Sequence, residues 1–293
     1  MRFINDDRKS IFRKPRRPCP FFRRGGGKKH PLTQVSKQKL AVIGLGSVGK
    51  AVKHTFDFFY DTVDGYDIDG RGNWENVLHS DISFICVSTP ESEDGHLDCS
   101  NVDNVLCRLS ASGYSGICVI KSTVSVGFTD ASTKKYSNLR IVYMPEFLRE
   151  KSNFTWFVNP DRLVISGEIA DMDKVIELFW WVDDVGESVP ILKMKNIEAE
   201  IGKLAHNARI AVLVSFTNEI ESACMEYEAD SDNVMSVIHA DRRVNSKEHL
   251  KPKLGGYGGK CVPKDTKELI VSMKNPILLT AAEERNRITL ERD

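Results

Sequence analysis

A cysteine that could act as a nucleophile follows a glycine-rich loop in the sequence GGYGGKCVPKD. Four glycines lie within residues 255–259, and Lys260 and Cys261 come next. Glycine-rich backbone is costly in conformational entropy, so such a loop indicates a tight turn or the close approach of a ligand. The thiolate is the reactive form of cysteine, and Lys260, Lys264 and a nearby Lys203 would favour it. We interpret Cys261 as a candidate nucleophile; a buried structural cysteine is the alternative interpretation.

A second group of polar side chains lies in a long segment with helical periodicity. The run IEAEIGKLAHNARIAVLVSFTNEIESACMEY has apolar residues at helical spacing and contains no proline. Lys203 and Asn207 are four residues apart, and Glu200 precedes Lys203 by three, so the three side chains share one face. The stripe formed by these three side chains has two open interpretations. It is either a solvated polar face or a catalytic cation beside a hydrogen-bond donor.

Three glycines in LAVIGLGSVGKAV predict a tight turn between a strand and a helix. Gly44 permits the turn, Gly46 lets the backbone approach a pyrophosphate, and Gly49 allows close packing of helix on strand, with Val48 inside the same turn. Asp67 ends a second strand-like run 18 residues after Gly49, which is the place of an acid that binds the adenosine ribose. The pattern predicts a site for NAD rather than NADP, because an acid there repels a 2′-phosphate. A purely structural glycine turn is the alternative.

Four later runs, DISFICVSTP, GICVIKSTV, LRIVYMPEF and DRLVISG, are predicted to be successive strands of one parallel sheet. Thr89, Thr123 and Glu146 follow three of them, and ligands of open α/β sheets bind beyond the carboxyl ends of the strands. Helix caps or turn residues are the alternative for each. The predicted fold class is α/β: a Rossmann-like, doubly wound NAD-binding domain over residues 38–192, then a helical domain over residues 193–293 with a long central helix.

Composition and charge exclude several classes of protein. Hydrophobic residues make up 41% of the 293 residues and charged residues 28%, which excludes disorder of the whole chain. The seven cysteines form no CxxC pair, so neither a disulfide framework nor a metal site is predicted. No apolar run is long enough to span a membrane, and no secretory signal is evident, which predicts a cytoplasmic protein.

The net charge of zero is distributed unevenly, because the N-terminal segment is strongly basic. Residues 1–37 contain twelve Lys or Arg and two Asp, together with proline and a glycine triplet, and no periodicity. We predict a disordered arm without a catalytic role. Nucleic acid is expected as a partner only through this arm.

The motifs GLGSVG, Asp67, STP, STV, PEFLRE, NPDR, EAEIGKLAHN and GGYGGKCVPKDTKEL, in this order, resemble those of the nucleotide-sugar (UDP-glucose/GDP-mannose) dehydrogenase family. The resemblance runs from about Leu40 to the end of the chain, and CVPKDT is closest to the UDP-glucose and GDP-mannose branches. It implies NAD-dependent, four-electron oxidation of a sugar C6 alcohol to a carboxylate. The expected reaction is the conversion of UDP-glucose to UDP-glucuronate.

The resemblance also implies catalytic roles. The thiol of Cys261 attacks the aldehyde to give a thiohemiacetal, the second oxidation leaves a thioester, and water hydrolyses it. Lys203 stabilises negative charge on oxygen, and Asn207 donates a hydrogen bond. Proton transfers are assigned to three residues around a water molecule, namely Asp265, Thr123 and Glu146.

Ligand contacts follow from the same resemblance. The expected NAD contacts are Gly44, Gly46, Val48, Gly49, Asp67, Thr89, Thr123, Glu150 and Lys264. The expected substrate contacts are Glu146, Phe147, Leu148, Glu150, Lys203, Asn207, Tyr257 and Gly258. The resemblance further implies a homodimer through the long helix and a nucleotide-binding domain that is absent from this sequence, which a separate chain could supply.

Two other functions remain open at this stage. One is a non-catalytic subunit that binds NAD or a partner chain. The other is a single-step β-hydroxyacid dehydrogenase, a family that also has a Rossmann domain and a Lys-x-x-x-Asn pair on a long helix. Cys261 argues against the second, because a single hydride transfer needs no covalent aldehyde trap.

Overall fold

Seven strands form one sheet in the order β2-β1-β3-β4-β5-β6-β7. The computed structural model describes residues 38–148, 153–182, 189–244, 246 and 248–292. The predicted basic arm therefore lies outside the described residues. The strands are β1 Lys39–Ile43, β2 Thr62–Tyr66, β3 Ile82–Ile85, β4 Ile117–Ile120, β5 Arg140–Tyr143, β6 Leu163–Gly167 and β7 Ile191–Met194. The helices are α1 Ser47–Phe56, α2 Trp74–Leu78, α3 Ser100–Ala111, α4 Phe128–Lys135, α5 Asn153–Val158, α6 Ile169–Glu177, α7 Asn196–Glu226, α8 Ser231–Ala240, α9 Val262–Val271 and α10 Ile277–Arg292.

Helices cover both faces of the sheet because its inner strands are apolar on both sides. β3 and β4 are buried along their whole length, as is typical of inner parallel strands. Successive side chains of a strand point to opposite faces, so Leu40 packs with Phe56 of α1 whereas Ala41 packs with Leu106 of α3. The predicted α/β fold with a doubly wound sheet is confirmed.

The prediction that the runs after β2 form one parallel sheet is wrong for β6. This strand pairs antiparallel to β5, with Tyr143 opposite Ser166, while β7 is again parallel to β6. The only helix described between β5 and β6 is α5, whose six residues rise about 9 Å, less than the length of a four- or five-residue strand. Such a helix is too short to serve by itself as the crossover that parallel strands need, and the antiparallel pairing brings the start of β6 beside residues 145–147.

The long central helix is confirmed as the 31-residue helix α7, and α9 and α10 pack against it. Lys203 and Asn207 both lie on its buried side, so the interpretation of their stripe as a solvated face is wrong. Leu204 and Ala208 of α7 pack with Leu269 of α9. We call residues 38–194 the sheet half and residues 196–292 the helical half. None of the helices described is long and apolar enough to cross a membrane.

Candidate active site

The glycine turn after β1 has the geometry of a dinucleotide-binding turn. Gly44 has a φ of +88°, and a Cβ added to it would lie 2.8 Å from the Cys86 carbonyl carbon. A Cβ on Gly49 would overlap the carbonyl oxygen of Gly44, whereas no described atom lies within 4 Å of a Cβ added to Gly46. Val48 packs against the core. The exposed backbone at Gly46, directly before the N-terminus of α1, fits the pyrophosphate of NAD.

Asp67 lies beside this turn, directly after β2. Its carboxylate accepts a hydrogen bond from the backbone N–H of Leu45 at 2.6 Å and pairs with Arg71 at 3.1 Å. The carboxylate is thereby oriented at the edge of the sheet where the ribose of a dinucleotide would lie. The two predicted parts of the NAD site, the glycine turn and the Asp67 carboxylate, therefore lie next to each other.

Thr89 and Thr123 are brought together at the ends of β3 and β4. The Thr89 hydroxyl donates to the Thr123 carbonyl oxygen at 2.7 Å, and both residues are buried. The hydrogen bond fixes the two loops relative to each other, which is a structural role for Thr89. Its predicted contact with NAD stays a prediction.

Asp265 lies at the centre of a polar cluster between α7 and α9. It is fully buried and accepts hydrogen bonds from the amide of Asn207 at 2.6 Å and from the ammonium of Lys264 at 2.7 Å. Cys261 is the N-cap residue of α9, one turn before Asp265, and remains exposed. The structure thus gathers four of the predicted residues from two helices that pack side by side.

Lys203 and Glu146 form the second part of the cluster. The Lys203 ammonium lies 3.9 Å from a carboxylate oxygen of Glu146, although only 4% of the lysine side chain is exposed. The other carboxylate oxygen of Glu146 accepts from the N–H of Leu148 at 2.6 Å, which turns the chain after β5. A buried cation facing a carboxylate is an arrangement that can stabilise negative charge on a substrate oxygen.

Phe147 is surrounded by basic side chains from two elements. The guanidinium of Arg162 lies 4.0 Å from the centre of its ring, the Lys203 ammonium 5.3 Å, and the His206 ring packs edge-on at 5.3 Å. Such contacts are favourable because the ring face is electron-rich. Arg162 reaches this position only because β6 is antiparallel. Its contact with Phe147 was not predicted from the sequence.

Lys203 and Lys264 favour the thiolate of Cys261, as expected, but the pKa of the thiol is nevertheless raised. Partial loss of hydration around the sulfur is the largest cause of the raised pKa, and the negative charge of Asp265 raises it further. Lys203 and Lys264 act in the opposite direction but do not compensate. Lys264 is also paired with Asp265 at 2.7 Å, so the carboxylate balances part of its charge. Lys260 is exposed on the loop.

The remaining predicted contacts lie on two loops. Tyr257 is buried against α10, where its hydroxyl donates to Glu283 and its backbone N–H donates to the side-chain oxygen of Asn286 at 2.7 Å. Gly258 is exposed, and Leu148 packs partly against the core of the sheet half. Glu150 lies outside the described residues.

Two buried carboxylates tie the Thr123 loop to the helical half. Glu200 of α7 accepts from the backbone N–H groups of Gly127 and Thr129 at 2.6 and 2.8 Å. Glu268 of α9 accepts from the N–H of Leu97 at 2.6 Å and from the Ser125 hydroxyl at 3.1 Å. Glu268 was not predicted from the sequence, although its position three residues after Asp265 on a helix indicated the same buried face.

The fold and these contacts define a protein with a dinucleotide-binding sheet half and a polar, cysteine-bearing cluster in its helical half. The family model described as "UDP-glucose/GDP-mannose dehydrogenase family, NAD binding domain" matches residues 72–180, and the model of the central domain of the same family matches residues 197–287. The chain belongs to the UDP-glucose/GDP-mannose dehydrogenase family.

Individual relatives agree with this assignment. A UDP-glucose 6-dehydrogenase of Campylobacter jejuni is 34% identical over 70% of this chain and 53% of its own length. That of Streptococcus pneumoniae is 30% identical over 72% of this chain and 55% of its own length. The chain thus spans about half the length of these relatives. The solved structure of a UDP-glucose dehydrogenase from Pyrobaculum islandicum superimposes with a TM-score of 0.76, at 26% identity, over 86% of this chain and 68% of that one.

Proposed function

We propose that the chain carries the NAD-binding and catalytic parts of a nucleotide-sugar 6-dehydrogenase. The substrate we propose is UDP-glucose, and the product is UDP-glucuronate. The main support is the cluster in which Lys203 faces Glu146 while Asn207 and Lys264 hold Asp265 next to Cys261. The names of the relatives from Campylobacter jejuni and Streptococcus pneumoniae support UDP-glucose as the sugar nucleotide.

In the first oxidation the C6 hydroxyl loses its proton and the carbon loses a hydride, which gives an aldehyde. NAD would be held at the glycine turn by the exposed backbone at Gly46 and by Asp67, and each of two successive NAD molecules would supply the acceptor for one hydride. The buried Lys203 ammonium stabilises the negative charge that develops on the oxygen. Asn207 has two amide N–H groups; one binds Asp265, and we assign the other to the substrate oxygen.

The second oxidation needs a covalent bond to Cys261. The sulfur adds to the aldehyde carbon, the thiol proton passes to a base, and the carbonyl oxygen takes up a proton to give a thiohemiacetal. Because the pKa of the thiol is raised, it is protonated at neutral pH and requires that base. We assign the role to Asp265, through a water near Thr123.

Hydrolysis completes the reaction. Loss of the second hydride from carbon and of the hydroxyl proton converts the thiohemiacetal into a thioester. Water attacks the thioester carbon, Glu146 takes a proton from that water, and the carbon–sulfur bond breaks to release the carboxylate and regenerate Cys261. Each sugar is therefore oxidised by four electrons, with one covalent intermediate on the protein.

We also propose a homodimer through α7 and a further nucleotide-binding domain on this or another chain. Large apolar side chains on α7 are exposed, among them Phe216 at 42% and Met225 at 58%. Sedimentation measurements of the wild-type chain and of Phe216→Glu test the dimer. A dimer that the substitution converts to a monomer supports it, and a monomeric wild type contradicts it.

The test of the function compares two cysteine variants. Cys261→Ser is expected to abolish net conversion of UDP-glucose, because a serine hydroxyl cannot form the thioester intermediate. Cys107→Ser, on the exposed surface of α3, is the matched control and is expected to keep wild-type turnover. NADH absorbance with NAD and UDP-glucose measures both. Equal turnover of Cys261→Ser and wild type would contradict the covalent mechanism.

A further inference from the structure

A buried lysine behind the loop that follows β5 has no part in the mechanism above. Lys121 directly follows β4, and only 3% of it is exposed. Among the described residues its ammonium makes a single hydrogen bond, to the carbonyl oxygen of Pro145 at 3.4 Å. An ammonium has three N–H donors, and a buried charge with unfilled donors is costly. A charge that is buried at this cost is a candidate for a function beyond filling space.

Lys121 is one of the residues that line a cavity of about 40 Å³. The other polar or charged side chains on this wall are Glu146, Asp161 and Arg162. A cavity holds a water molecule when it offers about 10–15 Å³ and two to four polar partners. The cavity behind Glu146 meets both conditions, so a water there can bridge Lys121 to the polar groups around it.

Glu146 thus experiences two cations from different elements. Lys203 of α7 lies 3.9 Å from its carboxylate, and Lys121 attracts it from the strand side. Glu146 favours the charge of Lys121 and Lys203 opposes it, and the other titratable or charged groups around it are Cys86, Asp161 and Arg162. Burial is the larger effect and lowers the pKa of Lys121 to about 8. The ammonium is therefore charged at neutral pH and loses its charge in the mildly alkaline range.

We propose that Lys121 is a positioning residue for Glu146: its ammonium holds the Pro145–Glu146 turn, through the Pro145 carbonyl and a water in the cavity, so that the carboxylate faces Lys203. The proposal rests on the proposed function, in which Glu146 takes the proton of the attacking water. A lysine that merely fills space would have no effect on that carboxylate.

The kinetic test uses Lys121→Met and Lys121→Arg, with Lys134→Met on the exposed surface of α4 as the matched control. Lys121→Met is expected to lower kcat about 10-fold or more, within the range of a misplaced general base, while NAD affinity by calorimetry stays at the wild-type value. Wild-type kcat is expected to fall as pH rises through about 8, where Lys121 loses its proton. Arginine stays charged, so this fall is expected to be absent in Lys121→Arg.

Two kinetic results would overturn the proposal. One is wild-type kcat in a folded Lys121→Met variant. The other is a fall near pH 8 that persists in Lys121→Arg, since then another group titrates. If the methionine variant does not fold, the arginine variant still decides the question.

A titration independent of turnover separates this proposal from the proposed function. With ¹³C-labelled lysine, the NMR signal that is missing in Lys121→Arg identifies Lys121. Glu146→Gln removes a negative charge that favours the ammonium, so the pKa of Lys121 is expected to fall below about 8. An unchanged pKa would overturn the coupling of Lys121 to Glu146, whether or not the chain oxidises a sugar.

Discussion

The two glycine-rich segments of the chain obtain their shapes in different ways. In the turn after β1, Gly49 packs directly on Gly44, five residues away, and Gly44 donates its N–H to Tyr66 of the neighbouring strand. In the loop before Cys261, the shape depends on distant residues: the amide of Asn286 donates to the Tyr257 carbonyl oxygen, and that of Asn218 donates to the Gly255 carbonyl oxygen. The first segment is shaped in part by packing within the turn itself, whereas the second is held by side chains from distant helices.

The glycines of the two segments differ in whether a side chain would fit at their positions. Gly49 is required for packing, whereas Gly46 and Gly258 have no described atom within 4 Å of an added Cβ. Gly256 lies between these extremes, because an added Cβ would lie 2.8 Å from the side chains of Asn286 and Leu290 of α10. Glycines without a packing role are those that leave backbone accessible to a ligand.

The largest effect is expected from Gly49→Ala. The added methyl group overlaps the Gly44 carbonyl oxygen, so the variant is expected to lose at least about 3 kcal/mol of unfolding free energy or fail to fold. The matched change Gly46→Ala is expected to keep the wild-type Tm but to weaken NAD binding measured by calorimetry. Wild-type stability of Gly49→Ala would contradict the account of the turn.

Asn286→Ala tests the distant support of the cysteine loop. It leaves the N–H and carbonyl groups of Tyr257 without their partner in a buried place, at a cost of about 1–3 kcal/mol for each unsatisfied group. Urea unfolding is expected to show a loss of about 2 kcal/mol or more, while NAD affinity is unchanged. Asn275→Ala, at an exposed position, is the control. If NAD affinity fell as much as stability, the two segments would not be independent.

The smallest effect is expected on the reactivity of Cys261. Its pKa is raised in part by the charge of Asp265, so Asp265→Asn is expected to lower that pKa and accelerate alkylation by iodoacetamide about threefold or more. Mass spectrometry of the Cys261 peptide measures the rate, with the exposed Cys107 as the internal reference. Slower alkylation in the variant would show that Asp265 acts on the thiol in another way.

Local patterns predicted much of the fold, but not the direction of β6. The glycine turn, the apolar strands and α7 each depend on neighbours in sequence, and all were predicted correctly. The antiparallel pairing of β6 depends on how far its connection travels, which no local pattern encodes. As a result the contact of Arg162 with Phe147, a product of that pairing, was also missed.

The grouping of the candidate site residues was predicted from the sequence, but the balance of charges around them was not, and their catalytic roles stay predictions. The resemblance to known motifs named Lys203, Asn207, Cys261 and Asp265, and the structure brings them together. The lysines favour the thiolate as predicted, but the pKa of the thiol is raised because partial burial of the sulfur and the charge of Asp265, which is itself paired with Lys264, outweigh them. Such pairings are decided by distances of a few ångströms between side chains.

The stoichiometry of NADH to sugar distinguishes a four-electron dehydrogenase from the alternative functions. Purified protein is incubated with NAD and a limiting amount of UDP-glucose, GDP-mannose or UDP-N-acetylmannosamine, and NADH is counted at completion. For the proposed function we expect two NADH for each UDP-glucose consumed. One NADH for each sugar would indicate a single-step dehydrogenase, and NAD binding without NADH formation from any of the three sugars would contradict a catalytic role for this chain.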